Sequence, residues 1–336
     1  MLSSAAFLAF VAVTSLSDVR LLKPLAGYLL LTVGSQTDIG SSTAFFVANG
    51  SVRPAPTPKL GTFRSIDWGR SPEEVLATAC EGMVRREVRC HIERLTVDGE
   101  LLQTYPKVPV AEFVEPDGRL TPGDMEGPAR ISSDGQLLAL YANGRKPAFV
   151  AADTGQYISG MRVGHSEYAW SPTGHRLAYT RSPSGSDSVH DSQLFLLDFD
   201  SGSDRQLTYF PDKDHRRWWE FWLRPQMRPP LIAGLSWARR ADVLLFFVIP
   251  DRGMYLWNPI NAQLTELGNP KAKCWRRTQL SADAEQILYI AACRGPLSVL
   301  HQVDDVRVIN VSSGDDQAVL SVGGDSTIVD ADWWTE

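Results

Sequence analysis

The sequence lacks the local signatures that accompany most hydrolases and metal enzymes. The segment G-H-S-E-Y at 164–168 stops short of the last glycine of a nucleophile elbow. Neither H-E-x-x-H nor C-x-x-C occurs, and the six histidines are scattered along the chain. These absences predict a protein without catalytic residues, bound metal or cofactor, and they rank a binding function above an enzymatic one.

Excess basic charge and membrane-length apolar runs are missing too. The chain has 33 Lys and Arg against 39 Asp and Glu, a net charge of −6, whereas nucleic-acid binding needs a basic face. The apolar run at 5–13 is too short to cross a bilayer but matches the apolar core of a signal peptide. Residues 1–24 are therefore predicted to be a leader, and the protein to be periplasmic or secreted. The alternatives are the stub of a longer chain and a mis-assigned start.

Cysteines are few, and their spacing is informative. Cys80 and Cys90 are equidistant from a predicted hairpin turn, and Cys274 and Cys293 are equidistant from another. Directly opposed residues of a hairpin have Cβ atoms close enough for a disulfide. Two disulfides would fit an oxidising compartment, and four reduced core cysteines are the alternative.

A repeated pattern dominates what the sequence does contain. Six segments place a large apolar residue at the same step, usually before a polar turn and a strongly apolar strand. They are S-I-D-W-G-R (65–70), A-R-I-S-S-D-G (129–135), Y-A-W-S-P-T-G (168–174), L-S-W-A-R-R-A (235–241), T-Q-L-S-A-D-A (278–284) and A-D-W-W-T-E (331–336). Third and fourth strands follow, as in S-Q-L-F-L-L-D-F (192–199) and R-Q-L-T-Y (205–209). Four short antiparallel strands repeated six times predict an all-β, six-bladed β-propeller.

The unit Y-A-W-S-P-T-G-H-R-L-A-Y, followed by S-Q-L-F-L-L-D-F-D-S-G-S-D-R-Q-L-T, resembles the repeat of TolB-like propellers, a WD40-like or PD40 repeat. The resemblance covers residues 25–336, which are expected to form a single domain. TolB-like envelope proteins carry an α/β domain before the propeller, and residues 1–24 leave no room for one. TolB's role, bridging a peptidoglycan-associated lipoprotein to an inner-membrane complex, is therefore not carried over whole.

The two ends of the chain predict how the ring closes. The first unit begins at G-Y-L-L-L-T-V (27–33) and lacks its own first strand, while T-I-V-D-A-D-W-W-T-E (327–336) is a spare first strand. Pairing the two leaves no open sheet edge between the first and last blades. Removing about the last ten residues is expected to open the ring.

Insertions fall on one face of the predicted ring. Turns between first and second strands, and between third and fourth, are expected to hold about two to four residues, and we name their side the short-turn face. The opposite, long-loop face carries 35–42, 106–128, 182–191, 211–232 and 294–304. Because long ordered loops are usually functional, this face is predicted to bind a protein or peptide partner, with the protein itself a monomer. Drift in loops that lengthen at little cost is the alternative.

The insertion 211–230 combines aromatic and basic residues, and Trp and Arg are enriched at binding hot spots. The predicted partner-binding residues are Trp218, Trp219, Phe221, Trp222, Arg216, Arg217 and Arg224. Two alternatives are that these aromatics pack as a plug over the channel mouth and that they contact a membrane surface.

The central channel supports a second hypothesis, a small-ligand binder or hydrolase whose residues no local motif reveals. Asp67 and Asp332 are the first candidates because they are acidic and predicted near the channel. A third hypothesis is a sensor domain of a longer membrane-anchored regulator.

Overall fold

A computed structural model shows an all-β ring of six antiparallel blades, as predicted. It describes residues 19–35, 42–57, 62–81, 89–105, 108–109, 129–142, 146–154, 156, 158, 168–182, 192–210, 231–249, 253–268, 270, 275–291, 304–323 and 326–335. No helix among these residues is long and apolar enough to cross a membrane.

The first three blades are formed by the strands between residues 28 and 151 together with the C-terminal strand. From the axis outward, blade 1 is β25 (Ser326–Trp334), β2 (Tyr28–Ser35), β3 (Ser42–Ala48) and β4 (Ser51–Pro54). Blade 2 is β5 (Thr62–Trp68), β6 (Glu74–Glu81), β7 (Arg89–Thr96) and β8 (Leu101–Thr104), with β9 (Val108–Pro109) also pairing with β7. Blade 3 shows β10 (Arg130–Ile131), β11 (Leu137–Ala142) and β12 (Lys146–Ala151).

The remaining blades follow the same order from the axis outward. Blade 4 is β13 (Tyr168–Trp170), β14 (Arg176–Arg181), β15 (Gln193–Asp198) and β16 (Ser203–Gln206). Blade 5 is β17 (Leu231–Trp237), β18 (Leu244–Ile249), β19 (Gly253–Asn258) and β20 (Gln263–Gly268). Blade 6 is β21 (Trp275–Leu280), β22 (Gln286–Ala291), β23 (Asp304–Asn310) and β24 (Asp316–Val322), and β1 (Val19–Leu21) adds a fifth strand to its outer edge.

The ring closes as predicted, because β25 pairs with β2 from Ser35↔Ser326 to Tyr28↔Trp334. A second closure was not anticipated: β1 pairs with β24, with Leu21 opposite Leu320. This short strand lies inside the segment 1–24 that the sequence analysis assigns to a leader. Both ends of the described chain therefore add strands beside the junction of blades 6 and 1.

The core consists of six apolar clusters, each lying between two neighbouring blades. Side chains of a strand alternate between these clusters, so that Leu29 and Leu31 of β2 face blade 6 while Leu30 faces blade 2. A strand buried on both faces needs apolar residues at every step, which explains the continuous apolar runs in the second strands. Because every junction is filled, all six blades hold one another in place around a central channel.

Turns from the first to the second strands are five or six residues long, longer than predicted. Side chains complete these turns: Ser132 Oγ accepts a hydrogen bond from Leu137 N–H, and Ser281 Oγ from Gln286 N–H, both at 2.9 Å. Gly135 takes the left-handed φ of 78° that the turn requires, and Ala284 takes 64° at the corresponding step. The serine and glycine of the repeat are therefore turn residues.

Two further predictions concern pairing within blades. Cys80 and Cys90 are Cα partners across β6 and β7, which confirms that they oppose each other. The other cysteine pair lies outside the described residues. The fourth strand of blade 4 ends at Gln206 and not at 209 as predicted, because Thr208 Oγ1 replaces the backbone acceptor for Leu194 N–H at 2.9 Å.

Candidate functional site

The inner strands of the blades surround a cavity of about 560 Å³. Its lining includes the ends of these strands and the first residues of the turns that follow, such as Arg70, Ser133 and Pro172. These turns lie on the short-turn face, so the cavity occupies that end of the channel. Most residues of the long-loop insertions, including all seven predicted partner-binding residues of 211–230, lie outside the described residues.

The repeated aromatic residue ties neighbouring blades together. The indole Nε1–H groups of Trp68, Trp170 and Trp237 each donate to a backbone carbonyl on the inner strand of the preceding blade. The acceptors are Asp332 O at 3.0 Å, Arg130 O at 3.2 Å and Ala169 O at 3.1 Å. Each acceptor immediately precedes the repeat residue of its own blade, which defines a set of equivalent positions around the channel.

We name these positions the ring residues: Asp67, Arg130, Ala169, Ser236, Gln279 and Asp332. Ser236 Oγ accepts the backbone N–H of Leu280 in the next blade at 3.0 Å. Asp332 Oδ2 accepts the N–H of Trp68 at 3.2 Å, and Gln279 Oε1 accepts the N–H of Trp333. The side chains of half of the ring residues therefore accept a backbone N–H of the next blade.

Asp67 and Asp332 line the cavity, as the second hypothesis predicts, and they interact directly. Burial raises the pKa of Asp67 well above its usual value, and the nearby negative charge of Asp332 raises it further. Burial also acts to raise the pKa of Asp332, but the hydrogen bond from Asp67 and the charges of Arg130 and Arg239 outweigh it and lower that pKa. At a pH between these two pKa values the pair holds one proton, on Asp67, and one negative charge, on Asp332.

Arg130 fixes this pair from blade 3. Its Nε donates to Asp67 Oδ2 at 3.0 Å, and a terminal nitrogen donates to the carbonyl of Tyr168 at 2.8 Å. Burial acts to lower the pKa of Arg130, but the neighbouring acidic groups, which include Asp67, Asp332 and Asp330, outweigh it, so the pKa is raised and the side chain stays positive. Asp67, Asp332 and Arg130 therefore connect blades 1, 2, 3 and 4 at the axis.

Arg239 reaches across the cavity from blade 5. Its guanidinium carbon lies 3.1 Å from the ring centroid of Trp334 in blade 1, and Trp334 in turn packs edge-to-face against Trp68 at 6.0 Å. Arg239 is an exposed residue because one side of it borders the cavity, while protein atoms surround the guanidinium on its other sides. Burial lowers the pKa of Arg239 to about 10, so it is positive at neutral pH.

The positions two residues after each repeat residue form the mouth, and we name them the rim residues: Arg70, Ser133, Pro172, Arg239, Ala282 and Thr335. The first four line the cavity. Both rim arginines and Arg130 were not predicted from the sequence to belong to the site. Aligning the six repeat segments on their apolar residue would have found them, because ring and rim are fixed columns of that alignment.

The described side chains do not form a recognisable catalytic group. No set of three His, Cys, Asp or Glu side chains within the described residues is arranged to hold a metal ion. Asp332 already accepts hydrogen bonds from Trp68 N–H and Gln279 Nε2, and Asp67 already pairs with Arg130. These carboxyl groups therefore connect neighbouring blades.

Comparison with known proteins supports the fold and goes no further. No family model and no curated protein matches the sequence. Among solved structures, a nidogen/laminin complex is similar with a TM-score of 0.51 and 10% identity over 91% of this chain and 98% of that one. An acylaminoacyl peptidase from Pyrococcus horikoshii matches with a TM-score of 0.48 and 9% identity over 87% of this chain and 43% of that one. The Cps50 (Swd1) β-propeller domain of Myceliophteria thermophila gives 0.42 and 11% over 80% and 73%.

The likeness to the nidogen/laminin complex, at 10% identity, agrees with the architecture alone, and neither the TolB-like subclass nor an activity follows from it. What the chain does must therefore be argued from its cavity.

Proposed function

We propose that the protein is a non-catalytic binding propeller that holds a polar ligand in the cavity on the short-turn face. The observation that carries this proposal is a cavity of about 560 Å³ lined by charged, hydroxyl and indole groups. Cavities of roughly 300–1,000 Å³ hold small molecules, and convergent polar groups orient them. A single polar end of a larger partner, such as a peptide terminus, fits the same space.

The test is to fill the cavity. Ser133 is an exposed residue that lines the cavity, so Ser133→Trp places an indole in it without displacing core residues. Ser201→Trp is the matched control, because Ser201 is exposed in the outer turn between β15 and β16. Thermal shift with acetate, inorganic phosphate, glucose, trialanine and spermidine should give at least one ligand that Ser133→Trp loses and Ser201→Trp keeps. A ligand that both variants bind equally well would place binding elsewhere.

A protein partner on the long-loop face is the second candidate. The composition of 211–230, with Trp218, Trp219 and Trp222 among arginines, favours it. Affinity capture with the triple alanine variant is the test, and Ile260→Ala is the control because Ile260 is 83% exposed on the short-turn face. A partner retained by the control and lost by the triple variant supports this site, and equal capture by all baits argues against it.

We also propose export to the periplasm or outside the cell and retain a TolB-like origin of the repeat as a hypothesis. The leader-like composition of 1–24 and the opposed positions of Cys80 and Cys90 support export. Thiol alkylation of the denatured protein, with and without reduction, tests it. Four free thiols in protein purified from its native compartment would contradict the proposal.

A further inference from the structure

We infer that the cavity binds an oxyanion, the carboxylate or phosphate group of its ligand, through the rim arginines Arg239 and Arg70. This inference rests on the proposed binding function and names the chemistry of the group that the cavity recognises.

Two of the four arginines that line the cavity are paired with aspartates, and the other two are available to a ligand. Arg130 is paired with Asp67 at 3.0 Å, and Arg277 with Asp330 at 3.3 Å. Among the described residues, no carboxylate forms an ion pair with Arg239 or Arg70, although both line the same cavity. A guanidinium has five N–H donors, and its planar edge matches a carboxylate or phosphate.

Arg239 is held in a conformation that leaves these donors accessible. The face of its guanidinium lies on the indole of Trp334 at 3.1 Å, and stacking uses the face but not the N–H edge. Because Trp334 also packs on Trp68, the guanidinium has a fixed platform. A ligand that approaches from the short-turn face therefore meets an ordered edge of donors.

Arg70 is placed on the opposite side of the ring, three blades away from Arg239. Its side chain lies against the turn of blade 3, where a Cβ on Gly135 would come within 2.8 Å of Arg70 Nη1 and 2.9 Å of Cδ. Arg70 as a whole is nevertheless an exposed residue at the mouth. Two cations that approach one cavity from opposite sides favour a charged group between them.

The charge of the cavity agrees with an anionic ligand. Four arginines and three aspartates line it, so it has a formal excess of one positive charge in a protein of net charge −6. The proton that Asp67 retains removes one negative charge and increases this excess. A local positive field on an acidic protein selects anions at the cavity and repels them elsewhere.

Isothermal titration calorimetry at low salt tests the inference with inorganic phosphate and with acetate, which distinguish the two sources of the oxyanion. Arg239→Gln and Arg70→Gln should each weaken binding of the better probe roughly tenfold or more, since charge-assisted hydrogen bonds are lost. Arg239→Lys, which keeps the charge without the fork, should lie between wild type and Arg239→Gln. The matched control is Arg240→Gln, which removes the same charge one residue away from a side chain outside the cavity.

Each outcome separates this inference from the binding function. Loss of affinity in both rim variants with no change in Arg240→Gln supports it, and the unfolding midpoints must confirm that all variants fold. If wild type binds neither probe at tens of millimolar, or if Arg240→Gln weakens binding as much as Arg239→Gln, the anion inference is overturned. The binding function then still stands if glucose or spermidine binds wild type and Ser133→Trp abolishes that binding.

Discussion

The Asp67→Asn variant should gain stability relative to wild type as the pH rises. The introduced asparagine keeps part of the hydrogen bonding of the protonated acid, because its amide oxygen can accept from Arg130 Nε and its nitrogen can donate to Asp332. The Trp68 N–H, which donates to Asp67 Oδ1 at 2.7 Å in wild type, then keeps only Asp332 as an acceptor. In wild type the pKa of Asp67 is raised by burial and by Asp332, so the folded protein holds a proton that the unfolded chain releases above a pKa of about 3.9. The asparagine side chain has no such proton to release.

The magnitude follows from one proton. Where the folded state binds one proton more than the unfolded state, the free energy of unfolding falls by about 1.4 kcal/mol per pH unit. That loss begins near the unfolded pKa and ends at the raised folded pKa of Asp67. The free energy of unfolding of Asp67→Asn relative to wild type should therefore rise through this window from its value near pH 4, while Asp332 contributes in the opposite sense to both proteins.

Urea unfolding of the two proteins at half-unit steps from pH 4 to pH 8.5 measures the difference. Asp98→Asn is the control, because Asp98 is 80% exposed and pairs with Arg53 at 3.0 Å on the surface. A difference between Asp67→Asn and wild type that does not change with pH, or that falls as the pH rises, would refute the proton-sharing pair.

Three further predictions test the ring and its turns. Deleting 326–336 should convert cooperative unfolding into a broad transition, measured by urea titration, because it removes the inner strand of blade 1. His175 lies between the carboxylates of Asp200 and Asp134, whose hydrogen bonds raise the pKa of the imidazole. The stabilisation from the charged imidazole is therefore complete below about pH 6.5 and is lost as the pH rises through the folded pKa. His175→Gln should thus destabilise the protein more at pH 5.5 than at pH 8.5. Ala284→Gly should raise the free energy of unfolding by about 1 kcal/mol, because Ala284 has a φ of 64° that favours glycine.

The sequence predicted the strands best where both faces of a strand are buried. Second strands such as Leu137–Ala142 contain runs of consecutive apolar residues, and such runs recur in the other blades because both faces of the strand contact a neighbouring blade. The closing pair β25 and β2 was predictable for another reason: the first unit lacks its own first strand, and the C-terminal segment is a spare one. By contrast, β1 has only three residues, too few for any periodicity to predict a strand.

The site was less predictable because it is formed between blades. Asp67 and Asp332 were identified from the sequence as acids near the channel. Their shared proton, however, depends on contact between β5 of blade 2 and β25 of blade 1, which are far apart in the sequence. Arg239 follows a tryptophan of blade 5 and contacts one of blade 1, which no spacing along the chain predicts. Only the placement of six repeats in a closed ring relates these residues to one another.

Ring and rim residues should respond differently to substitution, because one set holds the blades and the other extends into the cavity. Ser236→Ala leaves the Leu280 N–H without its acceptor at 3.0 Å, which should cost about 1–3 kcal/mol of unfolding free energy. Arg239→Gln removes only a stacking contact of an exposed side chain, which should cost about 1 kcal/mol or less, while anion binding weakens. Measuring unfolding and binding for both variants separates the roles. If Arg239→Gln unfolds as easily as Ser236→Ala, Arg239 is a structural tie between blades 5 and 1, and the cavity would need another cation to recognise its ligand.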